Sequence, residues 1–185
     1  MLHEIWKFLK HPDYKVDENL NIKYRLDLTL KLLGISLVIS LVLGFLIGAV
    51  ESLAEIDLGR HAMDVLFEQY SAIFILIAGV VLAPLLEEFF FRGPMIFFKK
   101  QAYFRYVFYM LTLAFGFYHL TNFEITPTIL VLSPLLVAPQ LCVGALLGFL
   151  RVRFGLLWAI GLHAAYNFVL IGPVVLLEVL NIPWE

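Results

Sequence analysis

Long apolar segments separated by short polar ones make up most of the chain. The apolar segments cover about residues 28–50, 71–98, 103–120, 128–150 and 154–180. Each is close to or above the length of about 18 residues that is typical of a membrane-spanning helix. No segment alternates like a strand of a membrane barrel, and lipid forces every backbone polar group to find an internal partner. The pattern predicts an all-α polytopic membrane protein with about five transmembrane helices, forming a single membrane domain over residues 1–185.

The polar leader before the first apolar segment contains an amphipathic pattern. Within residues 1–11 the apolar side chains that share one helical face are Leu2, Ile5, Trp6 and Leu9. This spacing predicts an N-terminal amphipathic helix at the membrane surface, inside a cytoplasmic leader of residues 1–27. A disordered leader is the alternative. A second polar segment, residues 51–70, is acidic and is expected to form an exterior loop with a short amphipathic helix.

The placement of charge predicts the orientation of the chain. Lysine and arginine cluster before the first apolar segment, between the second and third, and between the fourth and fifth. The positive-inside rule then places the N-terminus in the cytoplasm, and Trp184 is expected to anchor the last helix at the opposite interface. The chain is 62% hydrophobic with a net charge of −2 and has no basic stripe, so no nucleic-acid partner is expected.

The second apolar segment carries charged residues in its interior. Glu87, Glu88 and Arg92 have apolar residues on both sides. Charged side chains at the centre of a membrane helix cost roughly 2.5–3.5 kcal/mol each, so they indicate function by default. The alternative is a helix that ends at the interface, with these charges in headgroup water. Two other segments also carry polar motifs, Phe115 with His119 in the third and His163 with Asn167 in the fifth.

Depth counting places the polar groups in one layer. Counted at ~1.5 Å of rise per residue from the nearest basic interface, the four groups lie about 15–22 Å into the membrane. They are Glu87, His119, His163 and Asn167. All four then lie near the middle of a hydrocarbon core that is ~30 Å thick. This coincidence predicts one buried site, and it predicts that the second segment is a long helix over roughly 71–99.

Helical spacing predicts different environments for the two glutamates. Glu88 and Arg92 are four residues apart, so they share a helical face and can pair. Glu87 is rotated by about 100° from Glu88 and is expected to point, unpaired, into a cavity. Phe115 lies one turn before His119 and is expected to pack the floor of the site.

These residue types are suited to hydrolysis of an amide by activated water. Glu87 can act as a general base and share a water with His119. His163 and Asn167 can donate hydrogen bonds to a developing oxyanion. A second possibility is a divalent metal such as zinc held by Glu87, His119 and His163 with one open position. The residues alone leave both possibilities open, so the cofactor is either none or a metal.

Three motifs along the chain resemble those of a known family. The order Glu-Glu-x-x-x-Arg, Phe-x-x-x-His and His-x-x-x-Asn is similar to the pattern of the CPBP intramembrane proteases, also called the ABI or CAAX-protease-and-self-immunity family. The matching residues are Glu87, Glu88, Arg92, Phe115, His119, His163 and Asn167. The resemblance covers about residues 71–171, which it implies are the catalytic core.

The resemblance implies an intramembrane endopeptidase. The family includes the eukaryotic enzyme that trims prenylated CAAX proteins. The implied roles are water activation by Glu87 and His119, oxyanion binding by His163 and Asn167, and structural support by Glu88 and Arg92. The family was long labelled as metalloproteases, but Asn167 is a poor metal ligand and a good hydrogen-bond donor, which favours a glutamate mechanism.

The expected function is therefore cleavage of a membrane-associated peptide or protein in the lipid bilayer. A short chain of this kind is expected in a bacterial cytoplasmic membrane. One alternative is a non-catalytic immunity or scaffold protein that binds a peptide in the same cavity. Another is an ion or proton carrier, although the inverted repeats typical of many carriers are not visible in the sequence.

Overall fold

The computed structural model describes residues 1–182, and this part of the chain is helical and contains no strand. Its α-helices are α1 (Leu2–Lys10), α2 (Ile22–Leu53), α3 (Ala62–Gln69), α4 (Ala72–Ile77), α5 (Ala83–Phe91), α6 (Phe104–Tyr118), α7 (Pro127–Leu136), α8 (Ala138–Phe154) and α9 (Leu156–Val179). A π-helical turn (Ala78–Leu82) and two 3₁₀ turns (Gly93–Phe98 and His119–Asn122) lie between them. The predicted all-α fold is confirmed, while the proposed anchor Trp184 lies outside the described residues.

Within residues 1–182, four stretches are long and apolar enough to cross a membrane. They are Ile22–Leu53, Ala72–Phe98, Pro127–Phe154 and Leu156–Val179. The remaining apolar helix, α6, has 15 residues and is about 22 Å long at ~1.5 Å per residue, shorter than a ~30 Å hydrocarbon core. The protein is thus a polytopic membrane protein, whereas the number of five spans and the orientation remain predictions.

The first spanning helix is longer than the apolar segment that predicted it. The Asn21 side chain caps α2 by accepting hydrogen bonds from the backbone N–H groups of Lys23 and Tyr24. An N-cap of this type lets the polar residues before Leu28 join the helix. The helix therefore begins at Ile22 rather than near residue 28.

The second spanning segment is not the uniform helix that was predicted over residues 71–99. It starts as α4, widens into the π turn and continues as α5 before a 3₁₀ turn ends it. Pro84 is the second residue of α5, just after the π turn. Proline has no N–H to donate and its ring clashes with the carbonyl four residues earlier. The widened turn accommodates Pro84 without ending the segment.

A break at Val137 divides the fourth segment into α7 and α8. Pro134 and Pro139 lie on either side of this break. Pro139 lies in the first turn of α8, where the missing N–H is tolerated, while Pro134 stays inside α7. The break places the start of α8 in the interior of the bundle.

Helix α8 is the centre of the bundle. It packs against α2, α6 and α9, and its C-terminal part also contacts α1. A Cβ atom built on Gly148 would lie 2.6 Å from the ring of Phe108. The small-xxx-small pattern Gly144 to Gly148 therefore forms a close packing seam with α6, as expected for such a pattern. The end of the bundle that carries Lys99, Lys100, Arg151 and Arg153 is called the basic end below.

Helix α1 is ordered and packs on the basic end. Its buried residues are Ile5 and Phe8, and the Phe8 ring lies edge-on to Phe108 and Phe149 at centroid distances of 5.1 and 5.2 Å. Trp6, on the apolar face predicted to lie at the membrane surface, is 59% exposed. Contacts with aromatic side chains of the bundle bury Phe8, which was not part of the predicted apolar face.

Helix α3 confirms the short helix predicted in the acidic segment, and His61 caps it. The His61 Nδ1 atom accepts a hydrogen bond from the Met63 N–H, and the Asp64 carboxylate accepts one from the His61 N–H. The His61 ring also packs edge-on against Phe123 at 5.2 Å. Because Nδ1 is the acceptor, this cap requires a neutral imidazole.

We expect α3 to lose this cap as the pH falls from 7 to below the lowered pKa of His61. Burial is the largest cause that lowers the pKa of His61; Asp64 opposes it and His119 adds to it. With a lowered pKa, the stabilisation is present above the ordinary histidine value of about 6.5 and is lost as the pH falls through the lowered value. Amide exchange over residues 62–69, corrected for intrinsic rates, should increase severalfold.

The control variant is His61→Asn, which keeps a side-chain acceptor at the N-cap but does not titrate. Its corrected exchange over residues 62–69 should be the same at both pH values. Equal pH responses in the variant and the wild type would exclude His61 as the cause.

Candidate active site

A cavity of about 370 Å³ lies among α3, α5, α6, α8 and α9. Its walls include the four polar residues that depth counting placed in one layer, Glu87, His119, His163 and Asn167. An adjoining lobe of about 300 Å³ shares Glu87, His119 and Asn167 with it. That lobe is called the apolar lobe here because Phe74, Ile75, Ala78 and Ala83 line it. The structure thus brings the predicted residues together around one space.

Glu88 and Arg92 form a buried ion pair beside the cavity. The Arg92 Nη1 atom lies 3.0 Å from Glu88 Oε1, and the two residues are 1% and 0% exposed. The i, i+4 spacing predicted this pairing. The structure adds a third member, because His163 Nδ1 lies 2.9 Å from the same Glu88 oxygen. The pair therefore also orients a histidine from α9.

Arg92 is enclosed by α6 and α8 on its other sides. Its guanidinium lies over the Phe115 ring, 3.8 Å from the centroid, and Nη2 donates to the Gly144 carbonyl at 3.1 Å. A Cβ atom on Gly144 would lie 2.8 Å from Phe115 and 3.0 Å from Arg92 Nη2. Only glycine leaves room for both groups. Phe115 forms the floor of the site as expected, and it also covers a cation.

Glu87 points away from this pair and into the cavity. Its Oε2 atom is buried and has no hydrogen-bond partner within residues 1–182. His119 Nε2 and His163 Nε2 each lie 3.8 Å from that oxygen. The predicted difference between the two glutamates is therefore present in the geometry: Glu88 is paired with Arg92, whereas the Glu87 Oε2 atom lies between two imidazoles without a hydrogen bond.

The hydrogen bonds of His119 determine which of its nitrogens faces Glu87. His119 Nδ1 lies 2.9 Å from the Phe115 carbonyl oxygen, which can only accept, so Nδ1 carries the proton. In the neutral ring, Nε2 is then an acceptor, like Glu87 Oε2. Two acceptors cannot bond to each other, but a water molecule between them can donate one hydrogen bond to each. The geometry is suited to holding such a water.

His163 is held in the same way by a carboxylate. Its Nδ1–H donates to Glu88, whose charge is balanced by Arg92, and its Nε2 faces Glu87. A neutral His163 therefore presents a lone pair to the cavity. It can donate from Nε2 only when the ring carries both protons, so its charge state decides whether it can bind an oxyanion.

Asn167 lines both lobes but has a different partner. Its Nδ2 atom donates to the Gly79 carbonyl at 2.7 Å. Gly79 belongs to the π turn, and π turns inside α-helices occur frequently at functional sites. The Asn167 amide nitrogen carries a second N–H, which takes no part in the hydrogen bond to Gly79. The spacing of His163 and Asn167 predicted that both would face the cavity but could not predict these separate anchors.

Gln140 and the Gly79 carbonyl are among the contributors to the cavity that were not identified from sequence. Gln140 lines the larger lobe, and it is the only amide side chain in the apolar segment 128–150. An intramembrane amide is itself a signal of function, so this residue could have been found. The Gly79 carbonyl had no such signal, because its availability depends on the π turn.

The possible metal site of Glu87, His119 and His163 is not supported by the donor arrangement. Within residues 1–182, no group of three or more His, Cys, Asp or Glu side chains is placed so that it could hold a metal ion. We therefore derive no step through a metal. The chemistry below uses only the side chains and a water molecule.

Comparison with known proteins identifies one family. A family model described as Rce1-like, type II CAAX prenyl endopeptidase, matches residues 69–169, more than half of the chain. This match confirms the resemblance of the three motifs to the CAAX proteases. No curated protein and no solved structure matches the chain.

Removal of the buried cation should destabilise the fold strongly. We expect Arg92→Met to lower the free energy of unfolding by about 3–5 kcal/mol, because it leaves Glu88 as an uncompensated buried charge. Unfolding in mixed micelles with increasing denaturing detergent, followed by circular dichroism, measures this change.

Lys31→Met is the matched control. Lys31 pairs with Asp27 at the same i, i+4 spacing, but both side chains are more than half exposed. Its loss should change stability by only about 0–1 kcal/mol. Similar losses in the two variants would contradict a special role for the buried pair.

Proposed function

The chain belongs to the Rce1-like family of type II CAAX prenyl endopeptidases, and we propose that it hydrolyses a peptide bond of a membrane-associated peptide or protein inside the bilayer. One observation carries the proposal: the buried Glu87 Oε2 has no partner within residues 1–182 and faces two imidazole nitrogens at 3.8 Å. An unpaired carboxylate in this position is costly for the fold and useful for proton transfer.

Glu87 and His119 activate the water. The water donates one hydrogen bond to Glu87 Oε2 and one to His119 Nε2, which leaves an oxygen lone pair directed at the substrate carbonyl carbon. As the oxygen attacks, Glu87 takes the proton. The Phe115 carbonyl keeps His119 in the required tautomer by accepting from Nδ1–H. Holding water and carbonyl in this geometry supplies the orientation that free reactants lack.

His163 and Asn167 stabilise the tetrahedral intermediate. His163 donates from Nε2 in its doubly protonated form, and Asn167 donates the N–H of Nδ2 that Gly79 does not use. Donors fixed before the reaction stabilise a developing oxyanion without reorganisation. Glu87 then returns its proton to the leaving amine as the carbon–nitrogen bond breaks, and the products are a carboxylic acid and an amine.

Glu88, Arg92 and Phe115 position the reacting groups without touching the substrate. Glu88 orients His163, and Arg92 balances the charge of Glu88. Phe115 separates this pair from the cavity and contacts the His119 ring at a centroid distance of 4.7 Å. Because Glu88 is bonded to Arg92 and His163, it does not compete with Glu87 for the water.

The apolar lobe is suited to an apolar part of the substrate. It adjoins Glu87 and His119 and extends between α4 and the C-terminal end of α6. A membrane-associated peptide could place apolar groups there while its scissile bond lies at Glu87. Cleavage of such a substrate within the bilayer is the function that the site supports best.

Glu87→Gln should abolish peptide cleavage. The amide cannot accept the proton of the water, so we expect kcat to fall by about 10²–10⁴-fold, the typical contribution of general-base catalysis. Two fluorogenic peptides with a CAAX terminus, one farnesylated on the cysteine and one unmodified, measure cleavage by the purified protein in lipid vesicles.

Glu124→Gln is the control, since Glu124 is an exposed glutamate outside the cavity. It should cleave at the wild-type rate. Full activity of Glu87→Gln would refute the proposed mechanism, and peptide that binds to the wild type but stays intact would favour the non-catalytic binding protein.

Chelators should leave the activity unchanged. Because the steps above use only side chains and water, we expect 1,10-phenanthroline or EDTA to alter kcat/KM by less than about twofold. Loss of activity with chelator, followed by recovery on addition of zinc, would show a metal mechanism instead.

A further inference from the structure

Gln140 is a polar residue of the cavity wall that the proposed chemistry does not use. Its side chain is half-buried, and its Oε1 atom is fully buried without a hydrogen-bond partner within residues 1–182. Buried amide oxygens in folded proteins are nearly always hydrogen-bonded, and an unpaired one costs free energy. This acceptor therefore needs a partner that the described part of the chain does not supply.

The position of Gln140 on α8 places it beside the reacting groups. Gly144, one helical turn later, contacts Arg92, and Val143 lines the same cavity. Gln140 is thus about 6 Å along α8 from Gly144, away from the basic end. Counted from Arg153, it lies about 20 Å deep at ~1.5 Å per residue, within the layer of Glu87 and the histidines.

The substrate offers the partner that Gln140 lacks. A peptide in the interior of a membrane must hydrogen-bond its backbone N–H groups, because lipid cannot. Extended peptides bind through such main-chain hydrogen bonds in many recognition sites. At the proposed centre, Glu87 and His119 are occupied by the water, so neither can accept from the peptide. Gln140 is a neutral acceptor at the same depth.

We propose that the Gln140 amide turns toward a bound substrate, so that its Oε1 atom accepts a hydrogen bond from a backbone N–H next to the scissile bond. This inference rests on the proposed function and adds a binding residue to it. The ligand class is an extended peptide, recognised through its main chain rather than its side chains. Gln140 contributes to affinity and takes no part in proton transfer.

Gln140→Met tests this role, because methionine has a similar length and no acceptor. We expect KM for the fluorogenic CAAX peptide to rise about threefold to tenfold, while kcat changes by less than about twofold, as expected for a lost ground-state hydrogen bond. The thermal stability without peptide should stay equal or increase, since an unsatisfied buried acceptor has been removed. If Gln140 had a structural role instead, its replacement would lower the thermal stability.

Cys142→Ala is the matched control on the same helix. Cys142 is half-buried and lines neither lobe. This variant should keep the wild-type KM. A raised KM in Gln140→Met is then specific to Gln140 and does not follow from every substitution in α8.

Substrate analogues identify the backbone group that binds. Peptides in which one non-scissile amide is replaced by an ester lack a single N–H. At one position the ester should raise the wild-type KM and have no further effect in Gln140→Met. Esters that act equally in both proteins at every position, or a wild-type KM in Gln140→Met, would overturn the proposal.

Peptide binding separates this inference from the proposed function. The dissociation constant of the uncleaved peptide is measured for Glu87→Gln and for Glu87→Gln combined with Gln140→Met. Weaker binding by the double variant supports Gln140, and equal binding refutes it. Whether Glu87→Gln still cleaves the peptide decides the proposed function alone.

Discussion

One buried cation determines the arrangement of the site. Arg92 lies at membrane depth with 1% exposure, and a guanidinium there is tolerated only when its charge and its N–H groups are satisfied. Glu88 supplies the carboxylate, Gly144 supplies a carbonyl from α8, and the Phe115 ring covers the cation from α6. Because Glu88 also binds His163 of α9, the requirements of one side chain hold four helices in register around the cavity.

The same pair explains why two adjacent glutamates differ. One carboxylate is used by Arg92, so its neighbour, rotated by about 100° on the helix, is left without a cation. Glu87 then faces two imidazoles whose other nitrogens are already bonded. The neighbouring network pairs Glu88 Oε1 with both Arg92 and His163. Arg151 extends this network to the basic end, since it donates to the Arg92 carbonyl and to the Tyr14 hydroxyl.

The depth of a residue in a helix follows from its position in the chain, and for this reason much of the site could be predicted. A constant rise converts sequence distance into height above the interface, so Glu87, His119 and His163 could be placed in one layer before any packing was known. The i, i+4 rule likewise predicted the pair of Glu88 and Arg92. Local rules of this kind did not identify Phe8 of α1, which is buried through contacts with Phe108 and Phe149 of other helices.

The sequence by itself determined the all-α membrane fold, the layer of polar residues and the division between the two glutamates, because these depend on hydrophobicity and helix geometry within single segments. The tertiary structure alone decided which atoms meet. Hydrogen bonds from His163 to Glu88 and from Asn167 to Gly79 join residues 75 and 88 positions apart, and the second requires a π turn. Rotations of packed helices about their axes are not encoded in any one segment, so these contacts, and the unpaired Gln140 beside them, could be seen only once the helices were assembled.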